Sequence, residues 1–363
     1  MKKGIALLLA LVMAVSLLAC GQTPEAEEPA PADTKPIEYE VPAQKVIHVL
    51  LPAAEEGWEA AAAAKAMAVV EELNEEGAVL TQVAYYETPE QQIAALEEIA
   101  AGSTGDGSLA VVTMPASEEM EDVFAKLVEA NVAYALAETV PAAAEAASVV
   151  NVYYDQKTIG AAMAAWMVEK GLTQDSKVVI LQGFSEEEAL RTDGFKAYLQ
   201  GKLAYDGAVI ETPWTTTENI VYSEMEGETA ENAEAYITAY LAESDHADTK
   251  YIAAWDDTYL LGVLDALEGE GIGTDNKAKF LAGAPFLASC GGSKAMLEVL
   301  SGTSAYTSVS SFGGIQTALY DANLLELAAR RLTDSPFGQV VEQDQPQSVV
   351  WVTPETATQY EGY

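Results

Sequence analysis

From Lys45 onward, short apolar runs alternate with stretches in which apolar residues recur every three to four positions. The runs VIHVLLP (46–52), VLTQVAYY (79–86), LAVVTMP (109–115), VAYALAE (132–138) and SVVNVYY (148–154) predict five strands. KVVILQG (177–183), AVIETPW (208–214), YIAAW (251–255), KFLAGAP (279–285), AYTSVSS (305–311) and SVVWVT (348–353) predict six more. Helical periodicity fills most of the intervals, among them about 58–75, 89–101, 117–130, 157–171, 187–201, 230–243, 257–270, 291–301 and 314–332.

Strands rich in Val, Ile, Ala and Leu, each followed by a helix, are the pattern of parallel sheets covered on both faces. So many strands exceed one small doubly wound domain, which predicts an α/β fold of two doubly wound parallel-sheet lobes. Ligands of such sheets sit beyond the carboxyl ends of the strands, so function is sought in the residues just after each one.

The first 44 residues follow neither pattern. Residues 1–20 open with Lys2 and Lys3 and continue with an apolar run. At about sixteen residues the run is short for a ~30 Å hydrocarbon core, and the layout is that of an export signal. It ends in Leu17-Leu18-Ala19-Cys20, which resembles a bacterial lipobox. The resemblance implies that Cys20 is lipidated, becomes the mature N-terminus and holds the chain to the membrane, since acyl chains contribute ~0.8 kcal/mol per buried CH₂. Residues 21–44 are rich in Pro, Glu and Ala, lack an apolar period and read as a disordered acidic tether.

Composition narrows the function classes. The 363 residues include 57 Asp or Glu against 18 Lys or Arg, a net charge of −39. Nucleic acid needs clustered cations, so a nucleic-acid partner is excluded, as is a polybasic membrane surface. The acids scatter over many helices and read as a solubility device. Two cysteines and two histidines leave little for a metal site, and no cofactor motif is present: no GxxxxGK[ST] run exists and no GxGxxG follows the first strand. His48 lies inside a strand and reads as structural, while Asp245, His246 and Asp248 give only a weak metal pattern. Cys290 reads as a plain buried thiol. Without a nucleophile and its base, an enzyme is disfavoured.

Three segments carry a family resemblance. LQGFSEEEALRTDGFKAYL (181–199), AAWDDTYLLGVLDALEGEGI (253–272) and VIHVLLPAAEEGWEAAAAAKAM (46–67) together resemble the type I periplasmic binding proteins, in particular the sugar-binding lipoproteins of ABC transporters. The resemblance implies two lobes joined by a three-strand hinge, with crossings near Tyr154–Asp155, Ser310–Ser311 and Gln347–Ser348. Lobe 1 is then expected over 45–155 plus 312–345 and lobe 2 over 156–311 plus 346–363. It also implies a ligand arginine at Arg191, a hydroxyl-binding acid at Asp256 and an aromatic at Trp58.

Sugar recognition needs flat aromatic faces and bidentate charged groups. Trp58, Trp214 and Trp255 follow or end strands, and Glu56, Glu138 and Asp155 stand at strand ends facing the same expected cleft. Ser310 occupies the place the family usually gives to a glutamine. Glu138-Thr139 replaces a usual Asp-Arg pair, and Ala284-Pro285-Phe286 stands where an Asp is usual, which leaves a nucleoside or modified sugar open beside a simple sugar. Residues 214–230, with an apolar centre at Ile220, Val221 and Tyr222, read either as a lid or as a surface insertion. The functional expectation is a lipid-anchored, extracytoplasmic protein that captures a small polar solute and delivers it to an ABC permease. A sensing subunit for a membrane receptor and an enzyme on the same fold are the alternatives.

Overall fold

The computed structural model describes residues 45–363, apart from Glu56, Ala78, Glu118, Ala146, Glu224, Glu226, Glu228, Asp321 and 335–343. The expected anchor at Cys20, the tether and Glu56 therefore lie outside the described residues. Among the described residues no helix is long and apolar enough to cross a membrane.

The described residues form two six-stranded sheets. The first contains β1 (Val46–Pro52), β2 (Leu80–Tyr86), β3 (Leu109–Thr113), β4 (Ala133–Ala137), β5 (Val150–Tyr154) and β11 (Asp344–Gln347), in the order β11-β5-β4-β3-β1-β2. All its pairings are parallel. The second contains β6 (Val178–Leu181), β7 (Ile220–Tyr222), β8 (Tyr251–Ala254), β9 (Phe286–Gly291), β10 (Gly314–Leu319) and β12 (Val350–Val352), in the order β12-β10-β9-β8-β6-β7. It is parallel except where β12 runs against β10.

Burial on both faces explains the continuous apolar runs. In β1, Ile47, Val49 and Leu51 join a cluster with Ala62, Ala66 and Val69 of helix α1 (Gly57–Glu76). On the opposite face Leu50 meets Leu96 and Ile99 of α2 (Pro89–Gly102) and Phe124 and Leu127 of α3 (Glu121–Glu129).

The chain passes from the first sheet to the second after Tyr154, and from β11 back to β12 between Gln347 and Val350. The second crossing differs from the expectation. Ser310–Ser311 lies in a 3-10 turn, and the strand Gly314–Leu319 pairs in parallel with Phe286–Gly291 inside the second sheet. The chain returns only between Leu319 and helix Leu324–Asp334, which packs on β4, β5 and α1, with Arg330 paired to Glu72 at 2.7 Å.

Three expected strands move for local reasons. In AYTSVSS the backbone N–H groups of Thr307 and Ser308 donate to the Glu268 carboxylate at 2.7 and 2.9 Å, so they need no sheet. KFLAGAP ends a helix, Thr274–Ala282, and the strand starts after Pro285. AVIETPW is no strand: its Val209 is exposed and Pro213 has no N–H to offer. The edge position goes instead to Ile220–Tyr222, paired with Val178–Ile180. That pairing builds the apolar centre of 214–230, Ile220–Tyr222, into the sheet edge.

Candidate functional site

Between the two sheets, beyond their carboxyl ends, lies a cleft of about 690 Å³. The first lobe lines it with Trp58, Glu59, Tyr86, Glu87, Met114 and Glu138, among others; the second contributes Ser185, Glu187, Glu188, Arg191, Trp255 and Asp256. Of the residues singled out in the sequence, Trp58, Glu138, Arg191, Trp255 and Asp256 meet here.

Helix packing places Arg191. Helices α5 (Gln156–Glu169) and α6 (Glu186–Leu199), counted after the short α4 (Ala142–Glu145), cross with their backbones touching. A Cβ at Gly160 would overlap the Arg191 carbonyl, and one at Gly194 would overlap the Lys157 carbonyl. This reciprocal glycine contact brings Gln156 to Arg191, whose Nε donates to Gln156 Oε1 at 2.7 Å. Nη1 donates to the Trp255 carbonyl at 2.6 Å, and the guanidinium carbon lies 5.1 Å from the centre of the Tyr320 ring. Arg191 is therefore held from three sides, by groups from α5, β8 and the end of β10.

Trp255 acts differently from the expectation. Its side chain is fully buried, its Nε1–H donates to Thr192 Oγ1 at 2.7 Å, and Thr192 in turn donates to Gln182 Oε1. An indole so covered offers no face to a solute; the residue serves the cleft through the carbonyl that grips Arg191. Asp256 both lines the cleft and caps the helix Asp257–Glu268, accepting from Thr258 N–H at 2.7 Å.

Glu138 sits just past β4 with φ +61, a left-handed backbone that costs a non-glycine residue about 1–3 kcal/mol and marks functional sites. Its Oε2 is buried with no hydrogen-bond partner. Burial pushes the carboxyl up to about 7, opposed by Arg191 and reinforced by Glu187. Across the same wall Trp58 is half-buried, and its Nε1–H is likewise covered and unpartnered.

Three expected site residues are not brought to the cleft. Trp214 is buried in the core, its N–H bonded to the Leu199 carbonyl at 2.7 Å, because the strand expected before it does not form. Asp155 caps α5, accepting from the N–H groups of Lys157 and Thr158 at 3.0 and 3.1 Å. Ser310 is exposed in the 3-10 turn and donates to the Thr307 carbonyl. With β10 ending at Leu319, the residue that follows the strand is Tyr320, and Gly292 follows β9 where 284–286 was expected to be read.

Several residues escaped sequence reasoning. Asp257, buried, accepts from Ser289 Oγ and Thr317 Oγ1 at 2.6 and 2.7 Å and from Gly292 and Ser293 N–H at 2.7 and 2.6 Å. Burial pushes its carboxyl up to about 6 against those donors. A Cβ at Gly291 would crowd that carboxylate, which explains a glycine there. Gln92, buried in the first lobe, donates to Thr113 Oγ1 and the Met114 carbonyl and accepts from Ala116 N–H, fixing the turn after β3. Tyr86 and Met114 obey the carboxyl-end rule and were findable by it; Asp257 and Gln92 depend on contacts across tens of residues.

Cys290, His48 and His246 do not line the cleft. Cys290 is fully buried, and burial pushes its thiol up to about 12, so it stays protonated. His48 is half-buried on β1, with burial lowering its pKa. His246 stacks on Tyr240 with ring centres 4.1 Å apart, and Asp248 is paired with Lys177 at 2.7 Å.

Residues 47–327 match the model of the periplasmic binding protein domain family. The chain belongs to that family. No curated protein matches it. Among solved structures it is similar to a periplasmic ribose ABC transporter protein from Conexibacter woesei DSM 14684, with a TM-score of 0.66 and 13% identity over 87% of this chain and 94% of that one. A solute-binding protein from Actinobacillus succinogenes 130z with bound D-allose gives 0.61 and 16% over 87% and 100%. The arabinose-transporter component from Shewanella sp. ANA-3, bound to L-arabinofuranose, gives 0.60 and 15% over 87% and 94%. At these identities the likeness establishes a shared fold, that of the type I periplasmic binding proteins.

Proposed function

We propose that this family member is an extracytoplasmic sugar-binding protein that closes its two lobes on a ring-shaped solute and delivers it to an ABC permease, tethered to the membrane through a lipidated Cys20. The observation that carries this reading is the cleft itself, about 690 Å³ and lined from both sheets at their carboxyl ends. Trp58 offers an aromatic face for the C–H side of a ring, and Arg191 and Asp256 offer charged partners for hydroxyls. The similar proteins that carry allose and arabinofuranose support the solute class. Chain crossings at three places between the lobes suit a hinge, and a solute that touches both walls shifts the open–closed equilibrium toward the closed form.

The test is a thermal-shift panel of pentoses and hexoses on the chain beginning after Cys20. A ligand at a hundred times its Kd adds about 2.7 kcal/mol of stability, which raises Tm measurably. A flat response to every sugar overturns the solute class.

A further inference from the structure

The cleft's charge is lopsided in a way that a neutral sugar does not need. Among the described residues six carboxyl groups line it, Glu59, Glu87, Glu138, Glu187, Glu188 and Asp256, against one guanidinium, Arg191. Two of the guanidinium's nitrogens are already committed, to Gln156 and to the Trp255 carbonyl. Acids scattered over the outer helices serve solubility, but Glu138 is not an outer residue. It is fixed by an N–H bond to the Val152 carbonyl at 2.9 Å, held in a left-handed backbone, and has Oε2 covered and unpartnered. A buried acceptor left without a donor is costly, and a ligand that supplies the donor recovers that cost. A cationic donor recovers most, because it also relieves the surplus of negative charge that low-dielectric walls concentrate in the cleft.

On the other side of the ledger stands Trp58 Nε1–H, a donor without an acceptor. The solute therefore needs a positively charged donor for Glu138, an acceptor for Trp58 and an apolar ring face. An acidic sugar, a phosphorylated sugar or a free carboxylate would enter a cleft where carboxyl groups outnumber the one guanidinium. Resting on the sugar-binding reading above, we infer that the cleft selects a sugar carrying a protonated amine, an amino sugar, with its ammonium group bound by Glu138 and a ring oxygen or hydroxyl by Trp58.

The test compares matched pairs by calorimetry at neutral pH: D-glucosamine against D-glucose and D-galactosamine against D-galactose, with the N-acetylated forms as controls that keep the nitrogen and lose the charge. The expected result is that at least one amino sugar binds roughly tenfold or more tightly than its parent, that acetylation abolishes the advantage, and that the advantage over the parent sugar also disappears in Glu138→Gln. Parent sugars that bind as tightly as their amines overturn the inference and leave the sugar-binding reading standing. If no amine binds at millimolar concentration the inference also fails, and the neutral pentose and hexose panel then judges the broader reading by itself. A preference that survives Glu138→Gln overturns the assignment to this carboxyl.

Discussion

The two walls of the cleft differ in how far their polar groups are already occupied. On the second lobe, Arg191 is gripped by Gln156 and Trp255, Glu188 Oε2 accepts from Gly183 N–H at 2.6 Å, Asp256 caps a helix and Asp257 takes four donors. On the first lobe, Gln92 and Tyr86 fix the turn after β3, with the Tyr86 hydroxyl donating to the Met114 carbonyl at 2.5 Å. Yet two groups of that wall, Trp58 Nε1 and Glu138 Oε2, are buried without a hydrogen-bond partner. The polar groups of the second wall are largely engaged within the protein already. The first wall holds unmet hydrogen-bonding capacity, and under the proposed function a solute that fills it would be selected there.

The largest effect is expected from breaking the order of the second wall. Gly194→Ala puts a methyl group into the Lys157 carbonyl, so α5 and α6 must separate and carry Gln156 and Arg191 apart. A loss of ~3 kcal/mol or more in denaturant unfolding is expected, the upper range for overpacking. Wild-type stability in that variant would mean the helices do not rely on the glycine contact.

A smaller effect sharpens the view of the first wall. The carboxyl of Glu138 is raised by burial from an ordinary 4.5 to about 7. Across that window the folded chain keeps a proton that the unfolded chain has lost, so this group's contribution to stability declines as pH rises from about 4.5 to 7. Glu138→Gln, which carries no titrating proton, should flatten the decline in a series of melts over that range. An equal slope in both proteins would mean that Glu138 titrates normally.

Much of this architecture is legible in the sequence because the inner strands of the first lobe, β1, β3, β4 and β5, are buried on both faces and read as unbroken apolar runs. Trp58, Glu138 and Asp256 are findable because each stands just past a strand, and Arg191 because it precedes Gly194-Phe195 in a recognisable helix. Legibility fails where polar side chains replace sheet partners. Glu268 captures Thr307 and Ser308 and turns an apparent strand into a 3-10 turn, which carried Ser310 into the expected site and left Tyr320 out. Trp214 fails for a related reason, since its neighbour Pro213 and the exposed Val209 leave no strand for it to follow. Asp257 and Thr317, sixty positions apart, meet only once β10 is placed beside β9. No local spacing announces such a contact.

The central claim is that this cleft, and Trp58 within it, is where the solute binds. The most direct measurement is the Kd of the sugar with the largest thermal shift, determined by calorimetry for the wild type and for Trp58→Ala. Losing an aromatic anchor at the centre of a site costs ~1–3 kcal/mol, so the account predicts roughly tenfold or greater weakening with the melting cooperativity preserved. An unchanged Kd in Trp58→Ala would contradict it and place the solute elsewhere.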